Sequence, residues 1–162
     1  MTNADWESSL ATLLTEISSV QDELLDVLRQ KRSRMAGGDV GGMDEVQTRE
    51  AALGERLESC LRRRAELLAS AGRDGLVADS LLDLAARVDR DPSRGLTGRV
   101  RDTSRRMRLV QDESLTNWVL AQRSLLHVSQ LLEIIATGGR LQPTDLSGDS
   151  VHARGALVDQ EA

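Results

Sequence analysis

From Asn3 to Arg34 the apolar residues fall at Trp6, Leu10, Leu13, Ile17, Val20, Leu24 and Val27, alternately four and three positions apart. Such steps return a side chain to the same side of an α-helix every two turns. The stretch therefore predicts a helix over 3–34 with an unbroken a/d seam, flanked by Leu14 and Leu28. Thr2 or Asn3 can cap it, Asp5 and Glu7 suit the positive end of its dipole, and Arg29, Lys31, Arg32 and Arg34 suit the negative end. "GGDVGG", Gly37 to Gly42, stops the pattern, because four glycines in six residues leave little helical propensity. It reads as a turn between antiparallel helices.

The spacing resumes at Met43, Val46, Leu53, Leu57, Cys60 or Leu61, and Leu67, which predicts a second helix over 43–71 with Gly54 as its weak point. After "AGRDG", the cluster Leu81, Leu82, Leu84 and Val88 predicts a short helix over 79–89, opened by Asp79 or Ser80. Pro92 forbids its smooth continuation by pushing the preceding residue out of the α region. A last helix over 93–137 has the seam Leu96, Val100, Met107, Val110, Ala121, Leu125, Val128, Leu132 and Ile135. Ser114 and Asn117 interrupt it and are expected to fix register at some cost in stability. At 1.5 Å per residue this helix reaches roughly 65 Å, against about 45 Å for either earlier long helix, so one end should outrun its partners.

Gly138 and Gly139 end that helix, and residues 139–162, "GRLQPTDLSGDSVHARGALVDQEA", have no periodicity and predict a disordered tail. The expected fold is all-α: an elongated antiparallel helical bundle or coiled coil of three long helices plus one short helix. The helical domain is placed at 1–138 and the flexible tail at 139–162.

Composition narrows the picture. The 162 residues include no Phe or Tyr and only two Trp, so the interior must be Leu, Val, Ile, Ala and Met, which suits helix-on-helix packing better than a sandwich or barrel. Net charge is −5, and the single lysine, Lys31, leaves arginine as nearly all the basic charge. An acidic chain is not steered towards nucleic acid or anionic membrane by its net charge. The N-terminus has no basic segment followed by an apolar one, no apolar run approaches the roughly 18 to 20 residues of a membrane span, and the single Cys60 excludes an internal disulfide. A soluble cytoplasmic protein without stable membrane insertion is expected.

Candidate chemistry is sparse. His127 and His152 lie far apart, and no H-x-x-x-H or C-x-x-C spacing offers a metal site. Asp22 and Asp26 form an i,i+4 carboxylate pair on a solvated face, where hydration or pairing with arginine accounts for them better than acid/base work. The glycines of "GGDVGG" follow a helix and lack the G-K-[ST] of a phosphate loop. "RGLTGRVRDTSRRMR", Arg94 to Arg108, spreads its arginines around the helix, without the broad basic face and stacking aromatics of a nucleic-acid surface, and reads as a solvated face pairing with acidic neighbours. Trp6 and Trp118 each read as core or edge packing. No catalytic residue, cofactor, metal or nucleic-acid partner is expected.

The most apolar stretch is "SLLHVSQLLEIIATGG", Ser124 to Gly139. On a helix Leu125, Val128, Leu131, Leu132, Ile135 and Ala136 share one side, of which Leu125, Val128, Leu132 and Ile135 continue the bundle seam, whereas Leu126 and Ile134 lie off it. A helix docking only on its own domain has no use for that second side. The seven Leu, Val and Ile residues are the candidate partner-binding set. The spacing of Leu126, Gln130 and Ile134 suits a partner helix laid in a groove.

The order of pieces is a heptad helix, a "GGD" connector, a helix with "RRRAELL", the short "SLLDLAARV" and a long helix carrying "NWVLAQRSLLHVSQLLEIIATGG". From Trp6 to Gly139 this order resembles the FlgN family of flagellar export chaperones. The resemblance implies a non-catalytic, cytosolic, all-helical protein that binds the C-terminal helical part of the hook-filament junction (hook-associated) proteins FlgK and FlgL. It further implies that the chaperone prevents their premature self-association and delivers them to the flagellar type III export apparatus, with the substrate-binding part matching Leu125 to Ile135. The alternative is a structural coiled-coil adaptor whose surplus apolar residues form a homodimer or larger homo-oligomer interface.

Overall fold

The computed structural model of the chain describes residues 2–89 and 95–138, and in it four helices follow one another: α1 (Asn3–Gly37), α2 (Met43–Arg73), α3 (Leu81–Val88) and α4 (Leu96–Ala136). Among the described residues there is no strand, and three long helices with one short one are the class that the spacing predicts. Pro92 and the tail 139–162 lie outside the described residues.

Local chemistry sets the helix ends. Thr2 is the cap of α1: its hydroxyl accepts from the Asp5 N–H at 3.3 Å, while its own N–H donates to the Asp5 carboxylate at 2.8 Å. This reciprocal capping box also holds the Asp5 carboxyl below its ordinary range, first through the Thr2 side-chain hydrogen bond. The helix runs three residues beyond the expected Arg34, because Gly38 is the residue that turns left-handed, with φ 68°, and the Asp39 N–H closes back on the Arg34 carbonyl at 3.0 Å. Ser80, rather than Asp79, caps α3 by accepting from the Asp83 N–H at 3.1 Å.

The chain divides into two units, residues 1–124 and residues 125–162. In the first, every seam residue of α1 is buried, together with the flanking line Leu14, Gln21 and Leu28. One apolar cluster joins Trp6, Leu10, Leu13, Leu14 and Ile17 to Cys60 and Ala71 of α2, to Leu81, Leu84, Ala85 and Val88 of α3, and to Leu96 and Val100 of α4. A second joins Val20, Leu24, Leu25, Val27 and Leu28 to Val46, Leu53 and Val110. Each fully buried Leu or Val contributes about 1.5 to 3 kcal/mol, so α1 with its ten buried apolar side chains is the spine on which the others pack.

The pairing of α1 with α2 is antiparallel, as a heptad ladder along the surface records. Arg49 donates to Gln30, Arg56 to Glu23 and Arg63 to Glu16, one numbering falling by seven as the other rises by seven. The Arg63 hydrogen bond holds the Glu16 carboxyl below its usual range, and Arg56, then Ser19, do the same for Glu23. Within the ladder Cys60, rather than Leu61, takes the seam: Cys60 is buried and Leu61 exposed. Burial pushes the Cys60 thiol up, and Glu16 adds to that against Arg63 and Arg56.

The part of α4 in this unit runs parallel to α1, since the contacts Arg99 with Thr15, Gln21 with Thr103, and Asn117 with Leu28 rise together, and the long Arg32 side chain reaches back to Glu113 from one turn beyond Leu28. Its buried residues are Leu96, Val100, Thr103, Val110 and Asn117. The seam is thinner in apolar side chains than that of α1, and amides compensate. Gln21 Nε2 donates to the Thr103 carbonyl at 3.0 Å, and Asn117 Nδ2 donates to the Leu28 carbonyl at 2.9 Å. Ser114, the other expected interruption, is exposed and makes no such contact.

Candidate partner-binding face

Residues 125–136 are helical to Ala136, after which Thr137 returns its hydroxyl to the Glu133 carbonyl at 2.8 Å and Gly138 turns left-handed at φ 63°. Leu and Ile dominate the segment, and its polar residues His127, Ser129, Gln130 and Glu133 leave the helical spacing of the apolar ones intact.

All seven expected residues, Leu125, Leu126, Val128, Leu131, Leu132, Ile134 and Ile135, are exposed, at 45–74% of their full accessible surface. The structure corrects one part of the sequence reading here. Leu125, Val128, Leu132 and Ile135, expected to continue the bundle seam, are as exposed as Leu126 and Ile134, and Ile135 is the most exposed of the set. Register gives the reason: within residues 1–124 Asn117 of α4 already stands at Leu28, and α1 ends at Gly37, so the opposing seam of α1 is used up within about three turns of Asn117. Apolar side chains therefore line both sides of this segment, and no subset is spent on the fold.

His127 is exposed, and among the described residues no group of three or more His, Cys, Asp or Glu could hold a metal ion. A cleft of about 440 Å³ between α1 and α2 is lined by Trp6, Ser8, Ser9, Thr12, Leu13, Arg63, Glu66, Leu67 and Ser70. Its hydroxyls have no histidine beside them to act as base, and Arg63 is engaged by Glu16. No described helix is long and apolar enough to cross a membrane.

With the apolar face and the three-long-helix architecture established, comparison with known families is decisive: the profile described as FlgN protein matches residues 1–140. The chain belongs to the FlgN family. No curated relative and no solved structure matches it. FlgN proteins are a chaperone family, so the functional class of this FlgN-family chain is flagellar export chaperone.

A second group escaped the sequence reading. Trp118, expected in a core or edge contact, is 60% exposed, whereas Trp6 is 1% exposed. Leu115 and Val119 beside it are exposed too. The spacing carried the signal: Val110 and Asn117 mark the buried side of α4, and at 100° per residue Leu115 and Val119 fall largely opposite, with Trp118 on the flank between. Of the arginine cluster, Arg106 reaches Asp22 at 3.5 Å and Arg105 reaches Asp102 at 3.4 Å, the pairing expected of a solvated face.

Proposed function

We propose that this chain is the cytoplasmic chaperone of the hook-filament junction proteins FlgK and FlgL, with residues 1–138 as the chaperone domain and Leu125, Leu126, Val128, Leu131, Leu132, Ile134 and Ile135 as the partner-binding residues. It binds the C-terminal helical part of the secreted subunit, prevents premature self-association and hands the subunit to the export apparatus. Binding is non-covalent and uses no cofactor.

The observation that carries this reading is the exposure of seven Leu, Ile and Val side chains within eleven residues of one helix in an FlgN-family chain. Surfaces of that kind are expensive to leave in water and mark interaction sites. Covering seven half-exposed side chains contributes on the order of 7 kcal/mol before ordering costs, enough for a reversible complex when the helix is already formed. The secreted partner, presenting an amphipathic helix, supplies the matching apolar stripe.

The test is co-expression with a hook-junction subunit, followed by affinity purification of the full chain and of Leu126→Ser/Ile134→Ser and Leu132→Ser/Ile135→Ser variants. The full chain is expected to retain the subunit and both variants to lose it with unchanged helicity. Retention by both variants overturns the assignment of the face. A tight dimer of the full chain that shields these residues and excludes the subunit overturns the chaperone reading in favour of a homo-oligomeric adaptor.

A further inference from the structure

On α4 within residues 1–124, Arg101, Arg108 and Leu115 stand seven positions apart and so form one stripe, with Val119 beside Leu115 and Trp118 at its edge. The stripe is turned away from α1. Thr103, Val110 and Asn117 on the other side are buried, whereas Arg101, Arg108, Leu115, Trp118 and Val119 are all exposed. Neither Arg101 nor Arg108 pairs with a carboxylate among the described residues, although Arg105 and Arg106 between them do. The face is thus basic over its first two turns and apolar over its last, with an exposed indole at the apolar end. An exposed Trp beside aliphatic side chains, with unpaired arginines on earlier turns of the same helix, has the composition of an interaction hot spot.

We propose that this outward face of α4 is a second docking surface, separate from residues 125–135, whose occupant is an acidic amphipathic helix of another protein. Charge complementarity selects the occupant. Two guanidinium groups a heptad apart call for two carboxylates a heptad apart, and Leu115, Trp118 and Val119 call for aliphatic side chains on the same side of the incoming helix. The span from Arg101 to Val119 is about 27 Å at 1.5 Å per residue, five turns of a partner helix. Asp112 lies within the stripe and is exposed, which restricts the partner's carboxylates to positions opposite the two arginines.

A second copy of this chain fits poorly. Parallel pairing of two α4 helices sets Arg108 against Arg108. Antiparallel pairing that matches Arg108 with Asp112 sets Leu115 against Arg105 and Val119 against Arg101, which leaves the apolar group facing charge.

Trp118 supplies the readout, because Trp6 is buried and acrylamide quenching of the protein reports chiefly the exposed indole. The probe is a synthetic helical peptide of about five turns with two glutamates a heptad apart followed by leucines on the same side, compared with its lysine counterpart. The glutamate peptide is expected to protect Trp118 from quenching, with the lysine peptide at least about tenfold weaker at low salt and the difference narrowing as salt is added. The exposed-site double variant Arg101→Glu/Arg108→Glu should reverse the preference while leaving the far-UV spectrum unchanged, and Leu115→Ser should weaken both peptides. Absence of protection at about 1 mM glutamate peptide overturns the proposal, as does equal protection by both peptides. Concentration-dependent protection of Trp118 without peptide, accompanied by a dimer in sedimentation, overturns it in favour of self-association.

Discussion

The side-chain amide of Asn117 donates to the backbone carbonyl of Leu28 at 2.9 Å, tying α4 to α1 inside their shared seam, while Asn117 Oδ1 is buried without a hydrogen-bond partner among the described residues. A half-satisfied amide among apolar side chains adds little net stability, yet it forbids a slip of α4 by one heptad, which would strand the whole group. Asn117→Leu is therefore expected to raise the thermal midpoint by a few degrees and to let α4 occupy more than one register on α1, seen as doubled backbone amide resonances. A midpoint several degrees below that of the parent would mean that the hydrogen bond is net stabilising and would sink this account.

The exposed segment of α4 makes a contrasting prediction about stability. Leu132 and Ile135 read as seam residues in the sequence but are exposed, so replacing both by serine should shift the unfolding free energy by no more than about 0.5 kcal/mol. Leu24, a buried seam residue of α1, should lose about 3 kcal/mol or more on replacement by serine, through the cavity and the stranded hydroxyl. Urea unfolding of the two variants compares them directly. Equal losses would return Leu132 and Ile135 to the core.

These two cases mark where the sequence was legible. The 4-3 spacing of α1 located every one of its seam residues, because a helix packed on three neighbours buries whatever its period presents. The same period in residues 125–135 identified a helix and an apolar side but not its burial, which depends on whether facing helices are long enough to oppose it. Cys60 against Leu61 was open for a related reason, since both lie near the seam and only the rung from Arg63 to Glu16 fixes which turns inward. A lone aromatic is usually core, and the place of Trp118 a quarter-turn or so off the buried side outweighs that tendency only once Asn117 is known to face α1. Gln21, on the line of Leu14 and Leu28, gave no sequence hint of the Thr103 carbonyl that accepts from it.

The Glu16–Arg63 and Glu23–Arg56 rungs predict an acid-sensitive contribution to stability. Both carboxyls are held below their ordinary range in the folded chain, chiefly by the arginine hydrogen bonds. A carboxyl depressed by folding stabilises above its unfolded pKa of about 4.3, and that stabilisation is lost as pH falls through the lower folded value. The urea midpoint should accordingly be flat above about pH 5 and decline towards pH 3, and Glu16→Gln/Glu23→Gln should flatten part of the decline. The rungs are half-exposed, so the effect is small and shrinks with added salt. An identical pH profile in the double variant would remove the rungs as its cause.

Cys60 gives the last prediction, because its reactivity reports the α1–α2 seam. The thiol is 5% exposed, and burial first, then Glu16, push it above its ordinary value, while Arg63 and Arg56 pull the other way. Thiolate is the attacking form and the sulfur is buried, so alkylation of the folded chain at pH 8 should be much slower than in denaturing urea, where a thiol of pKa about 8.5 is already partly ionised. The folded rate should keep climbing with pH beyond the point where the unfolded rate levels. Glu16→Gln removes a charge that raises the thiol and leaves the Arg63 guanidinium unpaired, and both changes lower it. That variant should therefore react faster than the parent at the same pH, provided that its unfolding midpoint is close to the parent's. A slower or unchanged rate in Glu16→Gln would show that access through local opening, and not the charge around Cys60, governs its chemistry.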